Sequence, residues 1–294
     1  MDRRTTFRGK VLPAILVLPQ LALTGVFFFW PAGQAVWSSL TRQDAFGLRT
    51  EFVGTENFTD LFADPLYLEA IGRTVLFCAV VAVLAMSAAL LLAVFADREI
   101  RGRGFYRTML IWPYAVAPAV AAVLWILLMQ PQIGLVGRWL NRIGIPWDYK
   151  LNGGQAFTVT VVASAWKQVS YNFVFFLAGL QSVPRAVLEA ARIDGAREFR
   201  VFRAIMLPLL VPTMVFLTVV NAVYAAFETF GTIRALTDGG PGKSTETLIV
   251  KVYRDGVLNL DLGGSSAQSV VLMLGVVGLT AIQFGLLGRQ RAAR

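Results

Sequence analysis

The sequence contains no histidine and a single cysteine, and only 15% of its residues are charged. Without histidine it lacks the commonest metal ligand and the commonest general base. Cys78 alone can form neither an intrachain disulfide nor a cysteine-rich metal site. These absences weaken most enzyme chemistries, and no apolar stretch carries paired carboxylates that would restore one. What fills the chain instead is apolar side chain, 56% of 294 residues. A soluble domain holds about 45–50% apolar and about 25% charged residues, so the composition is that of a membrane protein.

A helix needs about 20 mainly apolar residues to cross a hydrocarbon core of about 30 Å. Six stretches qualify, at about 11–37, 71–96, 107–129, 156–180, 208–230 and 267–288. The first follows Arg3, Arg4, Arg8 and Lys10, as in a secretory signal. Its apolar run is longer than a signal core, and no small-residue cleavage site follows Phe27-Phe28-Phe29-Trp30-Pro31, so it is expected as a retained helix kinked or ended at Pro19 and Pro31. The N-terminus, the 97–107 turn, the 181–207 loop and the C-terminal tail share one side and hold sixteen basic residues, against nine in the three longer opposite loops. The positive-inside rule places both termini in the cytoplasm and accounts for the net charge of +9 without nucleic acid. The expected architecture is one all-α membrane domain over residues 1–294 with six transmembrane helices. The outer loops 38–70, 130–155 and 231–266 are expected to be turn-rich.

The inner loop at 181–207 carries the densest pattern. Pro184 suits a helix's first turn, and the run Ala186 to Ile193 favours helix. Gly195 offers a break, needed either for unusual backbone angles or for close contact, before a second short helix. Leu188, Ile193, Phe199 and Phe202 alternate with Arg192, Arg197, Arg200 and Arg203. Such a segment suits a groove on another protein, or equally an amphipathic helix lying on membrane lipid.

The run Glu189-Ala190-Ala191, three residues, Gly195, nine residues, Ile205-x-Leu207-Pro208 resembles the EAA signature of permease subunits of bacterial ABC importers. The resemblance implies the MetI-like fold of the carbohydrate (MalF-like) type. In that family this loop is a coupling helix seated in a cytoplasmic ATPase, so Glu189, Ala190, Ala191, Asp194 and Gly195 become the expected ATPase-coupling residues. Trp166-Lys167-Gln168-Val169-Ser170-Tyr171-Asn172-Phe173 and Tyr253-Arg254-Asp255-Gly256 are similar to the A-type branch that serves sn-glycerol-3-phosphate importers. That branch implies a cargo of sn-glycerol-3-phosphate or glycerophosphodiesters, with a permease for a neutral sugar or oligosaccharide as the alternative. It also implies a bacterial inner-membrane location, a second related permease, two ATPase subunits that bind the ATP and Mg, and an extracytoplasmic solute-binding protein. A secondary carrier would share the composition but has no use for the EAA loop, and many carriers show repeated halves.

Polar residues inside the spans mark a translocation path, because a central charge costs about 2.5–3.5 kcal/mol to insert. Lys167 lies mid-span, with Ser164, Ser170 and Tyr171 at helical spacing and Gln168 and Asn172 flanking. Asn221, Tyr224 and Glu228 share a face of the fifth span. Lys167, Tyr171, Asn172, Asn221, Tyr224 and Glu228 are therefore the expected path residues, against the alternative of interhelical hydrogen bonds and ion pairs. Gly239-Gly240-Pro241-Gly242-Lys243-Ser244 imitates a phosphate loop, but the glycine required five residues before Gly242 is Thr237. It is expected to be a flexible outer loop. Asn57-Phe58-Thr59 fits a glycosylation sequon by chance.

Overall fold

The computed structural model describes residues 11–44, 49–97 and 103–292. Arg3, Arg4, Arg8 and Lys10, Arg98 and Arg101 of the first inner turn, and Arg294 of the tail lie outside the described residues. The helices are α1 (Val11–Thr24), α2 (Trp30–Ser39), α3 (Glu56–Ala63), α4 (Pro65–Asp97), α5 (Arg103–Ala115), α6 (Pro118–Met129) and α7 (Leu135–Arg142). They continue as α8 (Gly153–Gln181), α9 (Arg185–Ile193), α10 (Glu198–Val201), α11 (Leu207–Val223), α12 (Phe230–Leu236), α13 (Leu248–Tyr253) and α14 (Leu262–Ala292). Strands β1 (Thr41–Gln43) and β2 (Thr50–Phe52) form one antiparallel hairpin, with Arg42 opposite Glu51. Apart from this hairpin the described elements are helical, because a backbone in lipid must satisfy its polar groups within its own helix.

Among the described residues, Ala14–Ser39, Pro65–Asp97, Glu198–Glu228 and Leu262–Gln283 are long and apolar enough to cross a membrane, and two bent pairs raise the number from four to six. Pro19 and Pro31 do not end the first of these. A π turn at Gly25–Phe29 lies where the Pro31 ring would otherwise meet the Phe27 carbonyl, and the chain stays helical to Ser39. The stretch 107–129, expected as one rod, is broken: α5 and α6 meet at a bend of 105°. Pro118 opens α6 and drives Ala117 to an extended ψ of 142°, the conformation favoured before proline. The fifth span also begins earlier than expected, since α10 runs into α11 through a π turn at Phe202–Met206.

The described residues gather into two compact units, those of 11–64 with 252–271, and those of 65–251 with 272–292. In the first unit, Asn57 is buried and donates to the carbonyls of Ser39 and Thr41, both at 2.9 Å. That nitrogen is fully engaged, which disposes of the sequon. Arg42 reaches Asp60 at 2.9 Å and Glu56 at 3.9 Å across an exposed surface.

The second unit is built around α8. Buried α4 residues Phe77, Val81, Ala85, Ala89 and Ala93 recur at helical spacing, and the alanines let the backbone come close to Phe173 and Phe176 of α8. Leu210 and Leu217 of α11 complete that cluster. A Cβ on Gly179 would lie 2.7 Å from Leu210 Cδ2, so α8 and α11 approach closely there. The segment after α12 is tied down rather than flexible. Thr245 donates to the Gly240 carbonyl at 3.0 Å, the Leu248 N–H donates to Thr74 at 2.8 Å, and Arg73 donates to the Glu246 carbonyl at 3.1 Å.

Candidate functional site

The segment between α8 and α11 folds as two short helices about Gly195. The Gly195 N–H donates to the Arg192 carbonyl and the Ala196 N–H to the Ala191 carbonyl, each at 3.0 Å. Those two bonds with glycine in a left-handed conformation, φ +77°, make a Schellman cap. The fixed spacing from Ala191 to Gly195 follows from this geometry, because the cap joins the carbonyl of the one to the residue just beyond the other. A side chain at Gly195 would meet no atom within 4 Å, so of the two reasons for glycine the backbone angle is the operative one. Glu189, Ala190 and Asp194 are exposed, and Ala191 is half-buried.

Around this cap the segment presents bare apolar surface. Ile193 is 86% exposed and Phe199 72%. Behind it lies a groove of about 970 Å³ lined by Val94 and Asp97 of α4, Leu180 of α8, and Leu188, Glu198 and Phe202. Apolar knobs on a capped two-helix corner, ringed by Arg192, Arg197, Arg200 and Arg203, are a docking shape. An isolated chain leaves such a face uncovered only if something else covers it.

The expected path residues separate into two groups. On α8 one stripe runs from Lys167 and Tyr171, both half-buried, to Val174, Ala178 and Gln181, which are exposed, at intervals of three and four. Lys167 is the central residue of the 29-residue helix. The exposed Glu228 acts on it electrostatically, although among the described residues no ion pair closes between them. Tyr171 is also half-open, and stacks on Tyr114 of α5 at 5.6 Å and Phe175 at 4.9 Å, with Phe216 of α11 5.3 Å beyond Phe175. The other three expected residues do not line this face. Asn172 and Asn221 are completely buried and bond to each other, and Tyr224 is buried with its hydroxyl on the Ser164 carbonyl at 3.2 Å. Ser164 and Ser170 are buried as well. Their helical faces turn toward neighbouring helices, which spacing within one helix does not reveal. Sequence reasoning missed Tyr114, whose place beside Tyr171 depends on the packing of α5 on α8.

The family of binding-protein-dependent transport system inner membrane components matches residues 85–291. The chain belongs to that family. It is a multi-pass inner-membrane permease subunit of an ABC importer, a transport component and not an enzyme. A permease of this family works within a transporter that has other subunits, a solute-binding protein among them. Its curated relatives include the sn-glycerol-3-phosphate transport system permease protein UgpA of Brucella abortus, 58% identical over 96% of each chain. The UgpA of Rhizobium meliloti is 56% identical over 96% of each, and that of Yersinia pseudotuberculosis 53% over 98% of each. In fold the permease is similar to a chain in the crystal structure of a bacterial alginate ABC transporter in complex with alginate pentasaccharide-bound periplasmic protein, with a TM-score of 0.80, 20% identity and 92% of each chain covered.

Proposed function

We propose that the permease carries sn-glycerol-3-phosphate, or glycerophosphodiesters, inward by alternating access. Identity of 53–58% along nearly the whole of three relatives named for that substrate supports the reading. The observation that carries it is Lys167, a half-buried cation at the centre of α8 beside the half-buried Tyr171, on the stripe that runs to the exposed Val174, Ala178 and Gln181. A bare charge facing lipid at that depth is costly, so the stripe belongs against a water-filled path. A phosphate ester offers three acceptor oxygens and about −1.5 to −2 charge near pH 7, which a lysine and the Tyr171 hydroxyl suit. Glu228 limits the pull of Lys167 on the cargo, so that binding is weak enough for release.

A second related permease faces this stripe, two ATPase subunits bind ATP and Mg, and an extracytoplasmic binding protein delivers the cargo. Both termini are cytoplasmic. The corner formed by Glu189, Ala190, Ala191, Asp194 and Gly195 docks into one ATPase, and closure of the ATPases pushes it against the inner ends of α8 and α11.

The aromatic row Tyr114, Tyr171, Phe175 and Phe216 favours a second reading, a neutral sugar stacked on rings. Lys167→Met decides between them. Removing one charge-assisted hydrogen bond costs about 1.5–3 kcal/mol, or roughly 10- to 150-fold in apparent affinity. Uptake of labelled sn-glycerol-3-phosphate at limiting substrate should fall by that factor while the yield of solubilised complex holds. Unchanged uptake removes Lys167 from the path.

A further inference from the structure

Asn172 and Asn221 form a closed amide pair that nothing in the transport path uses. Asn172 Nδ2 donates to Asn221 Oδ1 at 3.1 Å, Asn221 Nδ2 donates back to Asn172 Oδ1 at 2.9 Å, and Asn221 also donates to the Leu217 carbonyl at 2.7 Å. Both residues are 0% exposed. Apolar surfaces pack around the pair. Phe173, Phe176, Leu177, Leu210 and Leu217 lie in one cluster, and Val161, Ala165, Tyr224 and Ala225 in another.

We propose that the Asn172–Asn221 pair is a register lock that makes α8 and α11 one rigid lever for the ATPase stroke. Apolar contact is non-directional, so leucine and phenylalanine faces would let α11 slide along α8 at small cost. Two reciprocal amide bonds would not, because any shift leaves buried donors and acceptors without partners. The position suits the task. α8 ends at Gln181 just before the coupling corner, and α10 leads from that corner into α11, so a push on the corner reaches both helices at once. While they are locked, the push moves the Lys167 stripe of α8 together with α11. Unlocked, it dissipates in slippage between them. A π turn at Tyr224–Glu228 begins three residues after Asn221, and its looser winding lets the outer end of α11 yield while the locked part stays in register. Both asparagines are thus positioning residues that never touch the cargo.

The inference rests on the coupling reading of residues 181–207, and the test separates the two. The whole importer, with its ATPases and binding protein, is reconstituted in vesicles, and ATP hydrolysed per solute imported is measured beside complex yield. Asn172→Leu and Asn221→Leu each orphan the remaining amide and should lower yield and import together. The double variant Asn172→Leu/Asn221→Leu removes the orphan and should recover yield. Its ratio of ATP hydrolysed to solute imported should still rise about 30-fold, the factor that two net hydrogen bonds represent. A merely structural pair predicts that the double variant recovers both, and a wild-type ratio there overturns the lock. A double variant that does not assemble also overturns it, since the pair would then serve folding alone. Normal import by Gly195→Val overturns the coupling reading, and the lock with it.

Discussion

Gly195 shows what one position decides. Its φ of +77° lies in the left-handed region, and the surrounding space is open, so the requirement is conformational rather than steric. This predicts an order of replacement. Asparagine tolerates the left-handed region and should keep most coupling, alanine should cost about 1 kcal/mol in cap stability, and β-branched valine more. Import and substrate-stimulated ATP hydrolysis should decline in that order. Asparagine as damaging as valine would mean that a side chain collides with the ATPase instead. The sequence marked Gly195 as a break because glycine lets a second short helix start at a new angle, but spacing alone left the angle and the contact undecided. Lys167 was equally legible, since a charge amid apolar residues stands out without any partner. Asn172 and Asn221 were legible only as polar; that they find each other across 49 residues is tertiary information.

Among the elements, α8 is less apolar than α4 and more of its residues are buried. It is not one of the four stretches that qualify as spans unaided, yet at 29 residues it is about 43 Å long, more than a bilayer core. Thr160, Ser164, Gln168, Ser170 and Asn172 are all buried within the chain, so protein and not lipid surrounds them. The helix starts at Asn152, whose side chain accepts the Gln155 N–H at 3.1 Å as an N-cap. Asn152→Ala should therefore destabilise the solubilised subunit by about 1 kcal/mol, and Asn152→Asp should hold stability, as measured by the midpoint of thermal unfolding. Equal midpoints in all three proteins would mean that the loop before α8, not the cap, fixes its start. The break between α5 and α6 was hidden for a different reason. Hydropathy runs unbroken through 107–129, and proline is tolerated in membrane helices, so Pro118 predicted no particular angle. The 105° bend reflects how α5 packs on α8 while α6 packs on α12, and neither contact is encoded locally.

For the whole molecule the open question is sidedness, which charge counting reads from the sequence and side-chain chemistry can test. Within the second unit, Leu151 just before α8 is 82% exposed and Ile193 beyond it is 86% exposed. One passage of α8 separates them. In a Cys78→Ser background, Leu151→Cys should react with a membrane-impermeant maleimide added to intact spheroplasts. Ile193→Cys should react only in inside-out vesicles, because the basic 181–207 loop is retained in the cytoplasm. Adding the partner ATPase should then slow labelling of Ile193→Cys at least about 10-fold, since burying a docking residue removes it from water, and should leave Leu151→Cys unchanged. Reaction of both positions from the same side would mean that α8 does not cross, and Lys167 could not lie within a path. Labelling of Ile193→Cys that ignores the ATPase would keep the topology but take the apolar corner away from the ATPase and give it to lipid. That outcome would restore the amphipathic-helix alternative that the residues of 181–207 leave open on their own.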